Sequence, residues 1–561
     1  MRGVGTTLHR SSPAPPPVMP VPEIADHPAL GLPLPDLLWL EPRESPDNDL
    51  LAEVMDLAFL GRDPGAEIDV ALDSDPVGAS PWQPAFFEDD LYLDDFIEGC
   101  LRISCDGSDY PVHRRFLRRV LAGPPCEPET IGFRQAILKE LEEDPDVRQR
   151  VEKLHGALHH LLSLFRAARS DARLNHAAFR LEILRQAGVV VESMAADFAD
   201  ARSGLRRLHE VGLDIQRTEA WDLLTSVLTY EGERGTLQVE VGIGADGRAR
   251  KLVLRALHEN SDNRFYRGPL RRWLDLVKLF WNRASLDPQK IVDGVVFQVY
   301  LSIAPAVRSL LQVMGHIEVF LAFRGFAEEA RRRGLEVSFA HCTEEPGLRL
   351  ESLFNPLLLP TVHCPVTCTI EADQSSRITV VTGPNSGGKT RLLQAVGLTQ
   401  LLGQGGFYTP SAAATVPILQ GLFVSLVDRG HAGQDEGRLG TELMRIKTVF
   451  AAAPRRSMIL LDELCSGTNP SEATEIVGLV LDLLARLDPV AFLTTHFLSF
   501  AGKLERSQGG LPLAFLQVEV DRSRHPTYRF TEGVASTSLA AQTAQRLGVT
   551  FEELSSLVDS R

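Results

Sequence analysis

Residues 377–402 decide how this chain is read: Arg377-Ile-Thr-Val-Val-Thr382, then Gly383-Pro384-Asn385-Ser386-Gly387-Gly388-Lys389-Thr390, then Arg391–Leu402. The first block is a run of β-branched residues, the pattern of a buried parallel strand. The last repeats apolar residues at helical spacing. Between them, glycines let backbone N–H groups converge at a helix N-terminus, where the helix dipole also favours an anion. Lys389 adds an ammonium that can reach β- and γ-phosphates, and Thr390 a hydroxyl that can ligate Mg²⁺. A strand, Gly-x4-Gly-Lys-Thr and a helix in that order predict a phosphate loop for a nucleoside triphosphate, residues Gly383–Thr390.

Two further strands supply what hydrolysis requires. Ser457–Leu461 reads as buried strand and leads directly into Asp462-Glu463. Placed beside the loop, Asp462 can hold Mg²⁺ and Glu463 can polarise a water, so the acid pair points to ATP hydrolysis rather than ATP binding alone. Val490–Thr494 reads as a third strand. It runs into Thr495-His496, and His496 is placed to contact the γ-phosphate. ATP and Mg²⁺ are therefore the expected cofactors, with Glu463 and His496 as catalytic residues and Thr390 and Asp462 as metal ligands.

Outward from this core the texture changes. Residues 365–561 alternate short β-rich runs with helices, an α/β domain. Residues 91–364 are mostly helical, with periodic stretches such as Phe133–Leu164 and Asn175–Leu208. One β-hairpin interrupts them at 236–257, where Leu237, Val239, Val241 and Ile243 alternate before Gly-Ala-Asp-Gly at 244–247. Residues 1–90 open with proline-rich sequence and become acidic, so they are expected to lack regular structure. The fold class is thus multidomain: a helical region with an inserted hairpin, followed by a C-terminal P-loop α/β ATPase domain.

The chain of 561 residues is 44% hydrophobic and 24% charged, ordinary for a globular protein, with a net charge of −16. That charge argues against a nucleic-acid partner until it is located. Glu41–Glu98 holds 17 acids and two bases, so this stretch alone carries −15 and the rest of the chain about −1. A near-neutral body can carry a basic groove. The stripe Arg264, Arg267, Arg271, Arg272 and Lys278, interleaved with aromatics, reads either as nucleic-acid contact or as an amphipathic helix with solvated arginines. The acidic stretch reads as a solvated linker or, with its threaded aromatics, as a tethered mimic competing for such a groove. Seven cysteines without paired short spacing indicate buried thiols in a reducing compartment, Cys364 and Cys368 included. No apolar run is expected to cross a membrane, since Phe297–Phe323 is interrupted by Pro305, Arg308, His316 and Glu318. A cytoplasmic location follows.

Gly-Pro-Asn-Ser-Gly-Gly-Lys-Thr at 383–390, Leu-Leu-Asp-Glu-Leu-Cys-Ser-Gly-Thr-Asn-Pro at 460–470 and Thr-Thr-His at 494–496 together resemble the ABC-type ATPase of the MutS family, nearest its second bacterial branch. The resemblance covers roughly residues 350–550, and the helical region with its hairpin is similar in layout to the MutS core, lever and clamp. It implies a homodimer that closes on ATP and acts on DNA in mismatch repair or recombination. As alternatives it leaves an ATP-driven remodeller of ribosomes or another ribonucleoprotein, or a regulatory protein–protein switch without nucleic acid. Tyr528-Arg-Phe, Gly533, Ser538 and the helix Ala540–Leu547 look like the closing segment that contributes to dimer contacts.

Three departures stand out. MutS proteins reach into the partner's site with a serine ahead of a Glu-Leu-x-Arg-x-Lys helix. Aligning on Glu442 puts Gly437 there, so slow hydrolysis is expected. A mismatch-reading N-terminal domain with a Phe-x-Glu wedge is not expected either, Phe86-Phe-Glu88 being a trivial match. Nor is the nuclease tail of the second branch, since the sequence stops at Arg561. DNA binding of a non-wedge kind is the implied partner interaction.

Overall fold

The structure, a computed structural model, describes residues 35–41, 49–74, 77, 80–105, 107–167, 176–232, 236–243, 249–258, 288–373, 376–384, 386–426, 437–465, 468–507, 511–523, 525–536 and 549–559. Within them the protein is mixed helical and α/β, with several sheets. Helices α1 (Asp49–Phe59), α2 (Glu67–Asp73) and α3 (Leu93–Cys100) lead to a short hairpin, β1 (Ile103–Cys105) with β2 (Ser108–Tyr110). The helical region continues with α4 (Arg114–Ala122), α5 (Pro128–Glu143), α6 (Pro145–Arg166), α7 (His176–Asp197), α8 (Arg206–Gln216) and α9 (Glu219–Gly232). The periodic run Phe133–Leu164 is split between α5 and α6 because Pro145 starts a new helix there. Asp144 caps it, its carboxylate accepting from the backbone N–H of Asp146 (3.1 Å) and Val147 (3.2 Å).

Strands β3 (Thr236–Ile243) and β4 (Ala249–His258) pair antiparallel, the hairpin expected inside the helical region. Helix α10 (Pro288–Arg332) follows with 45 residues, about 67 Å at about 1.5 Å per residue. By length and composition its Val296–Arg332 portion is apolar enough to cross a membrane, contrary to expectation, yet 94% of its apolar window is buried inside the protein. Its apolar residues are core residues: Phe323 stacks on Phe407 at 4.0 Å and Phe326 meets Phe96 edge-on at 5.8 Å.

Beyond α10 come β5 (Ser338–Thr343), β6 (Leu348–Leu353), β7 (Cys368–Ala372), β8 (Ile378–Thr382) and α11 (Lys389–Gln404). Next are β9 (Tyr408–Thr409), β10 (Ala413–Pro417), β11 (Gly421–Ser425), α12 (Gly437–Ala452), β12 (Ser457–Leu461) and α13 (Pro470–Leu487). The last are β13 (Val490–Thr495), α14 (Leu498–Ser507), β14 (Leu513–Val520), β15 (Pro526–Glu532) and α15 (Phe551–Asp559). Among the described residues, one sheet has the order β11-β12-β13-β8-β14-β15, parallel except for the antiparallel β14–β15 edge. A second has the order β7-β6-β10-β5-β9. Because β5 and β6 pair with β10, the α/β region begins near Ser338, and a boundary at 364/365 cuts through a sheet.

The expectation that residues 1–90 lack regular structure is corrected for Asp49–Phe59 and Glu67–Asp73, which are helical, and for Pro84–Phe86, a single 3-10 turn; residues 35–41 have no helix or strand yet are packed against the core. Leu37, Leu38, Trp39, Phe59, Trp82, Phe87 and Leu91 are buried in the main core. Arg134, itself fully buried, donates to Leu38 O (2.7 Å) and Gly405 O (3.0 Å), with its guanidinium over Trp39 and Phe407. Trp82 Nε1 donates to Leu419 O at 3.1 Å. Leu91 packs onto α11 where Gly397 leaves no side chain; a Cβ there would lie 2.9 Å from Leu91 Cδ2. The acids that read as a solvated run are matched by arginines remote in sequence. Arg118 pairs with Glu88 (3.0 Å) and Asp94 (2.8 Å), Arg166 with Asp69, and Arg445 with Asp90 (2.6 Å). The segment is therefore neither a solvated linker nor a free tether over these residues.

Candidate functional site

All five residues of β8 are buried. They sit between β13 and β14, with Thr382 in register with Thr495 and Gln517. The loop that follows is shaped by left-handed backbone. Gly383 has φ +145°, Ser386 +65° and Gly388 +91°. A Cβ on Gly383 would lie 2.6 Å from Val518 Cγ2, so only glycine fits where the loop leaves the strand. Asn385 lies outside the described residues.

Lys389, the first residue of α11, is almost fully buried. Its ammonium donates to Gly383 O (3.2 Å) and Pro384 O (3.3 Å) and pairs with Glu463 Oε1 at 3.1 Å. Thr390 Oγ1 donates to Asp462 Oδ2 at 2.5 Å, and Thr494 Oγ1 donates to the other Asp462 oxygen. The acid pair follows β12 at the same sheet edge, and Asp462 N donates to Ser425 O (3.0 Å). Glu463 N donates to Thr494 Oγ1 (2.9 Å). Burial pushes the Asp462 carboxyl up, with Glu463 adding to the effect; hydrogen bonds from Thr390 and Thr494 and the Lys389 charge only partly offset it. A half-buried carboxyl beside a hydroxyl, raised in this way, is a hard-oxygen pair that a divalent cation would favour in its ionised form.

These groups open into a cavity of about 820 Å³, within the size range of small-molecule sites. Ser386, Gly388, Lys389, Thr390, Asp462 and Glu463 form its polar end, and Leu353, Leu358, Val362 and Phe530 are among its apolar walls. Sequence reasoning missed Tyr92, Asn355, Leu358 and Val362, which also line it. Asn355 is fixed from below, its Nδ2 donating to Arg391 O (2.9 Å) and its Oδ1 accepting from Leu357 N (2.9 Å). Tyr528 and Phe530, in the segment that resembles the one contributing to dimer contacts, line this cavity. Cys364 and Cys368 do too: Cys364 is exposed, which corrects the expectation of a buried thiol, and burial pushes the Cys368 thiol up to about 12.

His496 follows β13 directly, one residue beyond the Thr495–Thr382 pair, with its ring 4.1 Å from that of Phe497; it is not among the residues lining the cavity. Gly437 begins α12. Glu442 on that helix faces its own chain, accepting from Cys465 N at 2.9 Å. Phe86 packs on Phe423 with centroids 4.9 Å apart and Glu88 pairs with Arg118, so neither is presented as a wedge. The stripe Arg264, Arg267, Arg271, Arg272 and Lys278 lies outside the described residues, as do Ser538 and 540–547.

The arrangement defines a class: a largely parallel sheet delivers a glycine-rich loop, a lysine and two adjacent acids to one edge, around one cavity. Residues 379–554 match the family model of MutS domain V. The endonuclease MutS2 of Thermomicrobium roseum is 32% identical over 205 residues, 36% of this chain and 25% of that protein. That of Streptococcus agalactiae serotype Ia is 28% identical over 248 residues, 43% and 30% of the two chains. That of Streptococcus pneumoniae serotype 19F is 29% identical over 385 residues, 66% and 46%. Over this part the chain carries a match to MutS domain V and is similar to the MutS2 proteins, from which it diverges at most of the aligned positions. The matched stretch spans less than half the length of each of these relatives.

Proposed function

We propose that the cavity binds ATP with Mg²⁺ and that the chain hydrolyses it as a MutS-type ATPase, in a homodimer that gates its hold on DNA. The observation that carries this reading is the Lys389 ammonium at the head of α11, held by two loop carbonyls and Glu463 beside the Thr390–Asp462 pair. In the proposed complex the N–H groups of 383–390 and Lys389 take the phosphates, while Tyr528 and Phe530 offer an aromatic wall for the base. Thr390 and Asp462 would hold Mg²⁺, which neutralises phosphate charge. Glu463 accepts a proton from the attacking water, and His496 contacts the γ-phosphate once the end of β13 adjusts toward it. For a clamp on DNA, the support is the family and the layout: a hairpin, then a 45-residue helix running into the core ahead of β5. Gly437 offers the partner's site no hydroxyl.

The test is retention of the Glu463→Gln protein on duplex and branched DNA, and its co-sedimentation with ribosomes, each with and without ATP. ATP-dependent retention on DNA by a species of two subunits is expected. ATP-dependent co-sedimentation with ribosomes and none on DNA would replace this reading with ribonucleoprotein remodelling. Failure of both would leave a protein–protein switch.

A further inference from the structure

The stretch 82–98 lies outside the residues matched by the family model, yet it meets the site from two directions. Tyr92 lines the cavity with its backbone left-handed at φ 54°. Such a conformation persists in a bulky residue only where its surroundings fix it. Two residues earlier, Asp90 is buried. Its Oδ1 accepts from Leu426 N (3.3 Å) just beyond β11, and its Oδ2 pairs with Arg445 Nη2 (2.6 Å) on α12. The ring contact of Phe86 with Phe423 and the bond from Trp82 to Leu419 O seat the same stretch against β11.

Helix α12 carries the connection onward. Glu442 and Arg445 are three residues apart, hence on one face of the helix. Glu442 accepts from Cys465 N (2.9 Å), two residues past Glu463. That turn is strained, with Glu463 at φ 45° and Cys465 at φ 58°. The opposite face of α12 leaves Leu443 and Met444 exposed, so its position depends on inner-face anchors such as these.

We propose that Asp90 is a positioning residue for Glu463: through Arg445 it fixes α12, and through Glu442 it holds the turn that aims the hydrolytic carboxylate. This rests on the reading that the cavity hydrolyses ATP. The phosphate contacts of Lys389 and the loop do not run through α12, so Asp90 governs turnover and not nucleotide capture. A displacement of about 1 Å at a reacting group can cost about a hundredfold in rate.

The experiment compares wild type, Asp90→Asn, Arg445→Gln and the double variant in ATP turnover, in ATP binding and in thermal unfolding, all assayed well below the unfolding transition. Asp90→Asn is expected to lower kcat on the order of tenfold to a hundredfold, with KM and ATP affinity within about twofold of wild type. The double variant should be no slower than the slower single, because both remove one pair. Arg445→Lys, which keeps the charge, should recover part of the rate. Should Asp90→Asn fail to fold, Arg445→Gln, at a third-exposed side chain, carries the same comparison. Unchanged kcat in the Asp90 or Arg445 variants, while Glu463→Gln abolishes turnover, overturns the positioning role alone. So does a loss of ATP affinity in step with kcat. A wild-type protein that does not hydrolyse ATP overturns both this role and the site reading.

Discussion

Glu463→Gln should trap ATP, and the structure indicates by how much on each side of the reaction. Glu463 Oε1 stands 3.1 Å from Lys389 Nζ, so the carboxylate competes with phosphate for the ammonium. At an effective dielectric of about 20 the bare attraction at this distance is about 5 kcal/mol. The Glu463 side chain is 32% exposed, and hydration and side-chain freedom reduce the net value to about 1 kcal/mol. Removing the charge should therefore tighten ATP binding about fivefold. The chemical step loses its proton acceptor, a contribution of about a hundredfold to ten-thousandfold. Equilibrium binding of a fluorescent ATP analogue reads the first effect, and phosphate release under saturating ATP reads the second. Wild-type turnover in this variant would refute the assignment of Glu463. Weaker ATP binding with the fold intact would refute the competition for Lys389.

Three further outcomes are expected. Glu318 is fully buried on α10, with His113 Nδ1 at 2.7 Å and His155 Nε2 at 3.5 Å; burial alone would raise its carboxyl, but His113 and His155 together, His113 the more, outweigh burial and hold it at about 2. Its folded value is depressed, so its stabilisation is present above the ordinary carboxylate value of about 4.3 and is lost as pH falls toward 2. Glu318→Gln should flatten that acid limb in urea midpoints and cost about 3 kcal/mol near pH 6; a parallel acid limb would contradict the pairing. Arg134→Met leaves Leu38 O and Gly405 O without this donor and should cost about 3 kcal/mol or more by urea unfolding, whereas a cost below about 1 kcal/mol would mean that residues 36–41 are not anchored as described. Gly437→Ser restores the hydroxyl that the family resemblance implies, worth on the order of a hundredfold in such a contact; an unchanged phosphate-release rate with the fold intact would count against that alignment.

What was legible in the sequence shares one property: the signal is local. Ile378–Thr382, Ser457–Leu461 and Val490–Thr495 are short apolar runs that end on the residues of the site, so pattern and chemistry reinforce each other. In β3, Leu237, Val239, Val241 and Ile243 alternate ahead of a turn signal, and β4 pairs with it antiparallel. What was missed depends on partners far along the chain. The acidic stretch reads as solvated because Arg118, Arg166 and Arg445, which pair with Asp94, Asp69 and Asp90, come 24 to 355 residues later. The sheet holding β5 and β6 is closed by β10, whose pairing leaves no mark in either strand's own sequence. Tyr92 and Asn355 reach the cavity through tertiary packing, and nothing in their neighbours' spacing announces it.

The central claim is that the loop at 383–390 captures ATP through Lys389, and equilibrium binding to Lys389→Ala addresses it most directly. Lys389 is where the loop, Glu463 and the cavity meet. Wild type should bind one ATP per chain in the presence of Mg²⁺. Lys389→Ala, with far-UV circular dichroism and unfolding midpoint retained, should lose a hundredfold or more in affinity, about 2.7 kcal/mol or greater. ATP bound by the folded Lys389→Ala protein as tightly as by wild type would contradict the account.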